Sequence, residues 1–444
     1  MSFKDFLRKE SVLLAPIFFL FTLIIVFIGK DIPLSDGVRY WQTAQDILSG
    51  FKDKEVINSP LFWNGPFYPF LLSIFQLFGM GVKACIGVNA IFIYVGCLLF
   101  YKLLKDYLPS KKALFVTYLL VFIDPFIFYW SAKLYTEPLA FFLICWIFYA
   151  GKFFFKTKSN KYFFQTAIGL GLLILTKVIF SYVVLLMIFL SAMYYLVKKT
   201  SASRRLFKIS SLGLFVTVPY LIFTFSITKM PFYYSNGGGM LLYWISSPHK
   251  TDLGEWHVFD LDALKDHLAS RYHTFSGLDS TYLRNVNDVI LNKMKSDHQP
   301  FLNTLAAYNN PVLRDNYLKK SALENIKNHP FIFARNWLLN SGRLLIGYPH
   351  AVYFKPPYSP VLSLINILKS SLLLFLLIAS LLLFLRNIHL FDNYIQVVVL
   401  FATIYLLGQS LLAVQSQRFL IPLYPLLLLF ISVIFGRLIN IKRE

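Results

Sequence analysis

The feature that most restricts this chain is its series of long apolar runs. Residues 11–29 read SVLLAPIFFLFTLIIVFIG, and comparable runs follow at 83–104, 113–131, 137–151, 162–176, 178–197, 209–228, 359–385, 393–413 and 419–436. A run of about 20 mainly apolar residues matches the hydrocarbon thickness of a bilayer. Inside that layer each backbone N–H and C=O must be satisfied within its own segment, which selects helices. The composition agrees: 57% of the residues are hydrophobic and 15% charged. Disordered, fibrous and ordinary soluble enzyme classes are excluded on those proportions. The expected fold class is an all-α polytopic membrane protein.

The first run follows Lys4, Arg8 and Lys9 and ends in FIGKDIPLSDG, without a small-x-small cleavage site. It is expected to stay as an anchor. The stretch 66–80, PFYPFLLSIFQLFGM, is apolar but only three to four helical turns long. It is either a short span or a helix in the interface. The charge pattern favours the second choice. With the N-terminus inside and 66–80 not crossing, the inner segments carry twenty basic and five acidic residues. If 66–80 crossed, every later loop would change sides and the positive-inside rule would fail. The expectation is therefore about ten spans, both termini inside, and a juxtamembrane helix at 66–80. The formal charge of +21 is a topology signal on this view, and nucleic acid is not called for.

Three regions follow: an N-terminal transmembrane module (1–228) with a first external loop (30–82), an external loop subdomain (229–358), and a C-terminal transmembrane module (359–444). The subdomain loop holds seven of the eight histidines. His249, His257, His267 and His273 match no zinc spacing. No ligand motif supports a divalent metal, and no cofactor is expected with certainty. Cys85, Cys97 and Cys145 form neither a CxxC pair nor a disulfide framework. No P-loop or GxGxxG fingerprint is present, so direct nucleotide use is not supported.

Ionisable groups near membrane depth are functional candidates by default. Asp36, Glu137, Lys177 and Arg418 are far apart in sequence, yet the expected topology brings all four to the outer membrane face. A carboxylate there can serve as general base toward an incoming hydroxyl or amine. Basic groups beside it can hold a lipid phosphate. Simpler roles stay open for each. Asp36 can be a helix N-cap, Glu137 can answer the helix dipole before Pro138, and Lys177 and Arg418 can be interfacial anchors. Lys369, inside the run 359–385, is expected to snorkel outward.

The same segments resemble the GT-C glycosyltransferases, which use lipid-linked sugars. The stretch from Asp36 to Gly79 is similar to the family's first external loop, through Asp36, Tyr40, Ala44, Gly50, Pro66-Phe67-Tyr68-Pro69 and LFG at 77–79. LYTEPLAFFL at 134–143 resembles its second acidic motif, and GLLILTKV at 171–178 its Leu-Thr-Lys segment. ALENIKNHPFIFARNW at 322–337 and QRFLIPLYPLLLLF at 417–430 resemble its late segments. The order is kept over most of the chain, and the nearest likeness is to the bacterial branch with protein O-mannosyltransferase-like and lipid A aminoarabinose transferases.

The resemblance implies a GT-C fold and an inverting transfer from a polyprenyl-phosphate sugar to a glycan, lipid or protein acceptor, outside a bacterial cytoplasmic membrane. It implies Asp36 as base or acceptor-positioning acid and Glu137 as a second acid of the pocket. Lys177, Arg418 and Arg39 become candidates for the donor phosphate. Tyr40, Trp63 and Tyr68 become candidates for the sugar or acceptor cleft. Two departures stand out. Asp36 is followed by Gly37 where many relatives carry Asp-Glu, and Gly65-Pro66-Phe67-Tyr68 replaces a Pro-Pro-Leu-Tyr run. The competing classes are a ligase or polymerase with a diphosphate-linked donor, and a lipid or sugar transporter. No internal repeat supports the transporter class.

Overall fold

The computed structural model describes residues 10–33, 36–52, 56–62, 65–124, 126–249, 252–255, 296–307, 310–347, 360–412 and 417–441. Helices α1 (Glu10–Ile28), α2 (Asp36–Ser49), α3 (Phe67–Leu77), α4 (Val82–Leu104), α5 (Ser110–Phe122), α6 (Phe126–Ser131), α7 (Glu137–Thr157), α8 (Asn160–Thr176) and α9 (Ile179–Lys198) form the first half. Then come α10 (Ser201–Phe215), α11 (Val218–Thr228), α12 (Gly238–Ile245), α13 (Gln299–Ala307), α14 (Pro311–Asn328), α15 (Pro330–Ile346), α16 (Pro360–Arg386), α17 (Asn393–Ser410) and α18 (Tyr424–Ile441). The described residues contain no β-strand.

Six of these helices are long and apolar enough to cross a membrane: α1, α4, α7, α9, α16 from Asn366, and α17. The pair α10 and α11 makes a seventh if it is one span, bent by 46°. The protein is thus a multi-pass membrane protein. The other expected spans take different forms. The run 113–131 is split into α5 and α6, with Asp124 at the break. The run 162–176 is the 17-residue α8. The last run is a 3-10 turn at Gln417–Leu420 followed by α18. At 11 residues, α3 is about 16 Å long, too short to cross.

Packing follows the sequence pattern. In α1 the buried residues Leu14, Ile17, Phe21 and Ile25 recur at helical spacing and face α4. The opposite face, with Val12, Phe19, Leu23 and Phe27, is exposed. Lipid provides no hydrophobic drive between helices, so close contact must come from shape. Gly96 on α4 shows this: a Cβ there would lie 2.6 Å from the Phe141 ring on α7.

The segment after α11 has a core of its own. Tyr243, Trp244 and Ile245 of α12 pack with Phe301 of α13 and Leu318 and Ala322 of α14. The Asn310 side chain accepts from the N–H groups of Val312 (2.9 Å) and Leu313 (3.3 Å), and Pro311 opens α14. These are the standard means of starting a helix. The expected boundaries of the 229–358 unit fall partly on residues outside those described.

Candidate active site

Four distant segments meet at one end of the bundle. Asp36 starts α2, just after α1 ends. Glu137 starts α7, with Pro138 in the first turn. Lys177 ends α8, where the backbone turns extended. Arg418 lies in the 3-10 turn before α18. The linking piece is Gly65: a Cβ there would lie 2.2 Å from the Leu175 carbonyl oxygen, so only glycine lets the start of α3 rest on the end of α8.

The charges form one connected network. Arg418 Nη2 donates to Asp36 Oδ2 at 2.8 Å. Arg39 Nη2 donates to Asp36 Oδ1 at 2.5 Å. Arg418 Nε lies 3.7 Å from Glu137 Oε1, the same oxygen that accepts from Lys177 Nζ at 2.9 Å. Arg418 therefore bridges the two carboxylates. Glu137 is 2% exposed, Asp36 18% and Arg39 41%, so the network opens toward solvent on the Arg39 side. The Glu137 Oε2 atom is buried without a hydrogen-bond partner among the described residues.

Aromatic rings enclose the cations. The Arg418 guanidinium sits 5.3, 5.0 and 4.8 Å from the ring centroids of Trp130, Tyr135 and Phe419. Lys177 Nζ lies 5.0 Å from the Phe419 ring. Such rings exclude water yet favour positive charge on their faces. Tyr40 and Tyr68 are buried and meet edge to face at 5.2 Å. Trp63 lies outside the described residues.

The electrostatics follow from these contacts. Burial by itself pushes the Asp36 carboxyl up, but the Arg418 and Arg39 guanidiniums outweigh it and hold the group well below the usual carboxylate range. Burial, with the Asp36 and Glu137 charges beside it, pushes the Tyr40 hydroxyl far up. Tyr40 is therefore a neutral hydrogen-bonding group throughout the physiological range. The set combines two carboxylates and three cations, with a basic excess suited to an anion.

The structure thus brings together Asp36, Arg39, Glu137, Lys177 and Arg418, with Tyr40 and Tyr68 alongside. A pure capping role for Asp36 is too small an account, since both its oxygens are taken by arginines. Lys177 and Arg418 are paired inside the protein. Lys369 differs from the expectation. Its ammonium lies 3.4 Å from Asp124 Oδ1 in place of snorkelling, because the α5 break leaves a buried carboxylate for it to meet. Tyr424 donates to the other Asp124 oxygen at 2.7 Å.

Sequence reasoning missed the supports of Arg418. Gln417 Nε2 donates to Ser370 Oγ at 2.7 Å and to the Leu345 carbonyl at 3.4 Å. Tyr405 donates to the Phe419 carbonyl at 2.7 Å. Buried Lys133 donates to the Tyr129 hydroxyl at 2.6 Å, beside the ring of Trp130. The flanking letters of KLYTEP and QSQRFL were the available signal. Among the described residues no three His, Cys, Asp or Glu side chains group as metal ligands, and His257, His267 and His273 lie outside them.

Residues 63–223 match the family profile of the dolichyl-phosphate-mannose-protein mannosyltransferases. No curated protein matches the chain by sequence. Among solved structures it is similar to the crystal structure of ArnT from Cupriavidus metallidurans bound to undecaprenyl phosphate, at 12% identity and a TM-score of 0.39, over 95% of this chain and 78% of that one. The apo form of the same enzyme gives 10% identity and a TM-score of 0.41, over 96% and 77%. The profile match runs from α3 into α11 with Glu137 and Lys177 inside it, and over this stretch the chain is similar to that family of mannosyltransferases.

Proposed function

We propose that this protein moves a sugar from a polyprenyl-phosphate donor to an acceptor hydroxyl or amine, with inversion, on the outer face of a bacterial cytoplasmic membrane. The observation that carries this reading is the bridge Asp36–Arg418–Glu137–Lys177 at one end of the spans. The family match supports a lipid-linked donor: the matched profile is named for dolichyl-phosphate-mannose, and one similar structure holds undecaprenyl phosphate.

In this reading the donor phosphate settles against Arg418, Lys177 and the more open Arg39. The acceptor oxygen or nitrogen attacks the anomeric carbon. The bond from that carbon to the phosphate oxygen breaks, and the phosphate leaves with the bonding pair. A phosphate leaving group needs charge stabilisation more than protonation, which the cations supply. The acceptor proton passes to Asp36. Held by two arginines, Asp36 is a weak base. As Arg418 turns toward the phosphate, Asp36 loses a cation and regains basicity when the acceptor arrives.

The test is transfer by the purified protein in detergent, with a panel of radiolabelled polyprenyl-phosphate sugars and membrane extract as acceptor. Asp36→Asn is expected to fold and to lose about 10²–10⁴ in rate, the usual worth of a general base. Normal turnover in that variant would remove Asp36 from the chemistry. Failure to bind any monophosphate donor would turn the assignment toward a diphosphate-using ligase or a transporter.

A further inference from the structure

Helix α15 is built inside out. Its buried side carries Asn336, Asn340 and Arg343, each at most 1% exposed, with Leu344 as the apolar residue among them. Its open side carries Phe331 at 89% and Leu338 at 70%, with exposed Ala334 between them. Residues 331, 334 and 338 follow helical spacing, so the three form one apolar stripe. In water this is the reverse of what an amphipathic helix needs.

The polar side is fully engaged. Asn336 Nδ2 donates to the carbonyls of Ile245 (2.9 Å) and Ser247 (3.1 Å). Arg343 donates to Asn340 Oδ1 at 3.0 Å and also to the Leu253 carbonyl. Asn340 Nδ2 donates to the Leu412 carbonyl at 3.1 Å, and Trp337 Nε1 to Ser410 Oγ at 2.7 Å. These last two contacts fix α15 at the site end of the spanning helix α17. The helix cannot roll its apolar stripe inward without breaking them.

What lies beside the stripe is also given by the fold. α15 packs against α16, whose Leu364, Leu368 and Leu372 form an exposed apolar surface leading into its membrane-spanning part. At the same end of the bundle, α3 exposes Phe70 and Leu77, and Phe78 just after it, in the same way. Lys319, Lys320 and Lys327 are exposed on α14, which leads into the start of α15, together with Glu324.

We propose that α15 is an interfacial helix that sinks its Phe331–Ala334–Leu338 stripe into the acyl chains of the leaflet at the site end, with Lys319, Lys320 and Lys327 against anionic headgroups. The external subdomain then rides on the bilayer, and its position relative to Arg418 is set partly by lipid. Amphipathic helices with an apolar face and a basic fringe bind membranes in this manner.

The test uses the full-length protein in nanodiscs of phosphatidylcholine and phosphatidylglycerol. Leu338→Cys carries an environment-sensitive fluorophore, and Phe331→Cys is a second reporter on the same stripe. The wild-type chain, whose three cysteines are buried, gives the labelling blank. The proposal expects quenching by brominated acyl chains to exceed quenching by aqueous iodide several-fold at both positions. Stronger quenching by iodide at either position would overturn it. Replacing the phosphatidylglycerol by phosphatidylcholine is expected to weaken the lipid quenching, and equal quenching in the two lipids would overturn the headgroup contact.

Discussion

At the end of the bundle away from the candidate site, Glu10 meets Lys105 at 2.7 Å and Lys102 at 3.4 Å, and Asp392 meets Lys152 at 2.8 Å. Each contact there has a job in the fold. Glu10 ties the start of α1 to the end of α4. Asp392 caps α17 by accepting from the Ile395 N–H at 2.9 Å, and Tyr107 donates to it at 3.2 Å. At the site end the acids share their cations through Arg418, and the network is enclosed by rings. Charges that serve the fold join one element to another and stay partly in water. Charges gathered from four segments and enclosed by rings are kept at a cost that folding does not explain.

This contrast can be broken most directly at Arg418. Arg418→Ala leaves two carboxylates without their bridge. Loss of one partner of a buried pair costs about 3–5 kcal/mol, so a large fall in thermal midpoint is expected. Arg418→Lys keeps a charge but loses the fork, and is expected to fold while binding the proposed polyprenyl-phosphate donor about 10–100-fold more weakly, the worth of a lost charged hydrogen bond. Unchanged affinity in the lysine variant would separate Arg418 from the phosphate.

Asp315 sharpens the comparison from a third place. It is a buried carboxylate on α14 that leans on the Gly239 N–H at 2.7 Å, and burial pushes it up to about 6. Asp36 is half-buried, yet its arginines drive it the other way. For Asp315, both folded and unfolded forms are protonated below about pH 4; between about 4 and 6 the unfolded chain releases a proton that the fold still holds. Stability from this group is therefore lost as pH rises through that window. Asp315→Asn is expected to remove the loss, on the order of 2–3 kcal/mol of unfolding free energy, and so to flatten the thermal midpoint against pH. A midpoint profile identical to wild type would refute the burial account.

Smaller effects are expected at the opposite end. Asp392→Ala removes a cap and an ion pair and should cost about 1–2 kcal/mol of stability with donor binding intact. A selective loss of donor binding there would erase the distinction between the two ends. Lys105→Ala should cost less than about 1 kcal/mol, because its ammonium is partly solvated and Lys102 remains near Glu10.

Much of this was readable in the chain itself. Apolar run length is a local property, and so is the choice of helix in lipid; α1, α4, α7, α9 and α17 follow from it. The loop charges pointed to α3 as non-crossing, and its 11 residues agree. Asp36, Glu137, Lys177 and Arg418 could be nominated because ionised groups at membrane depth are costly wherever they occur. Which cation meets which acid was not legible, since those pairings join residues up to 382 positions apart and depend on helix rotation. The break at Asp124, its pairing with Lys369, the anchoring of Gln417 on Ser370 and the reversed polarity of α15 belong to the same class. Each depends on which side of a helix faces a neighbour, and only packing in three dimensions decides that.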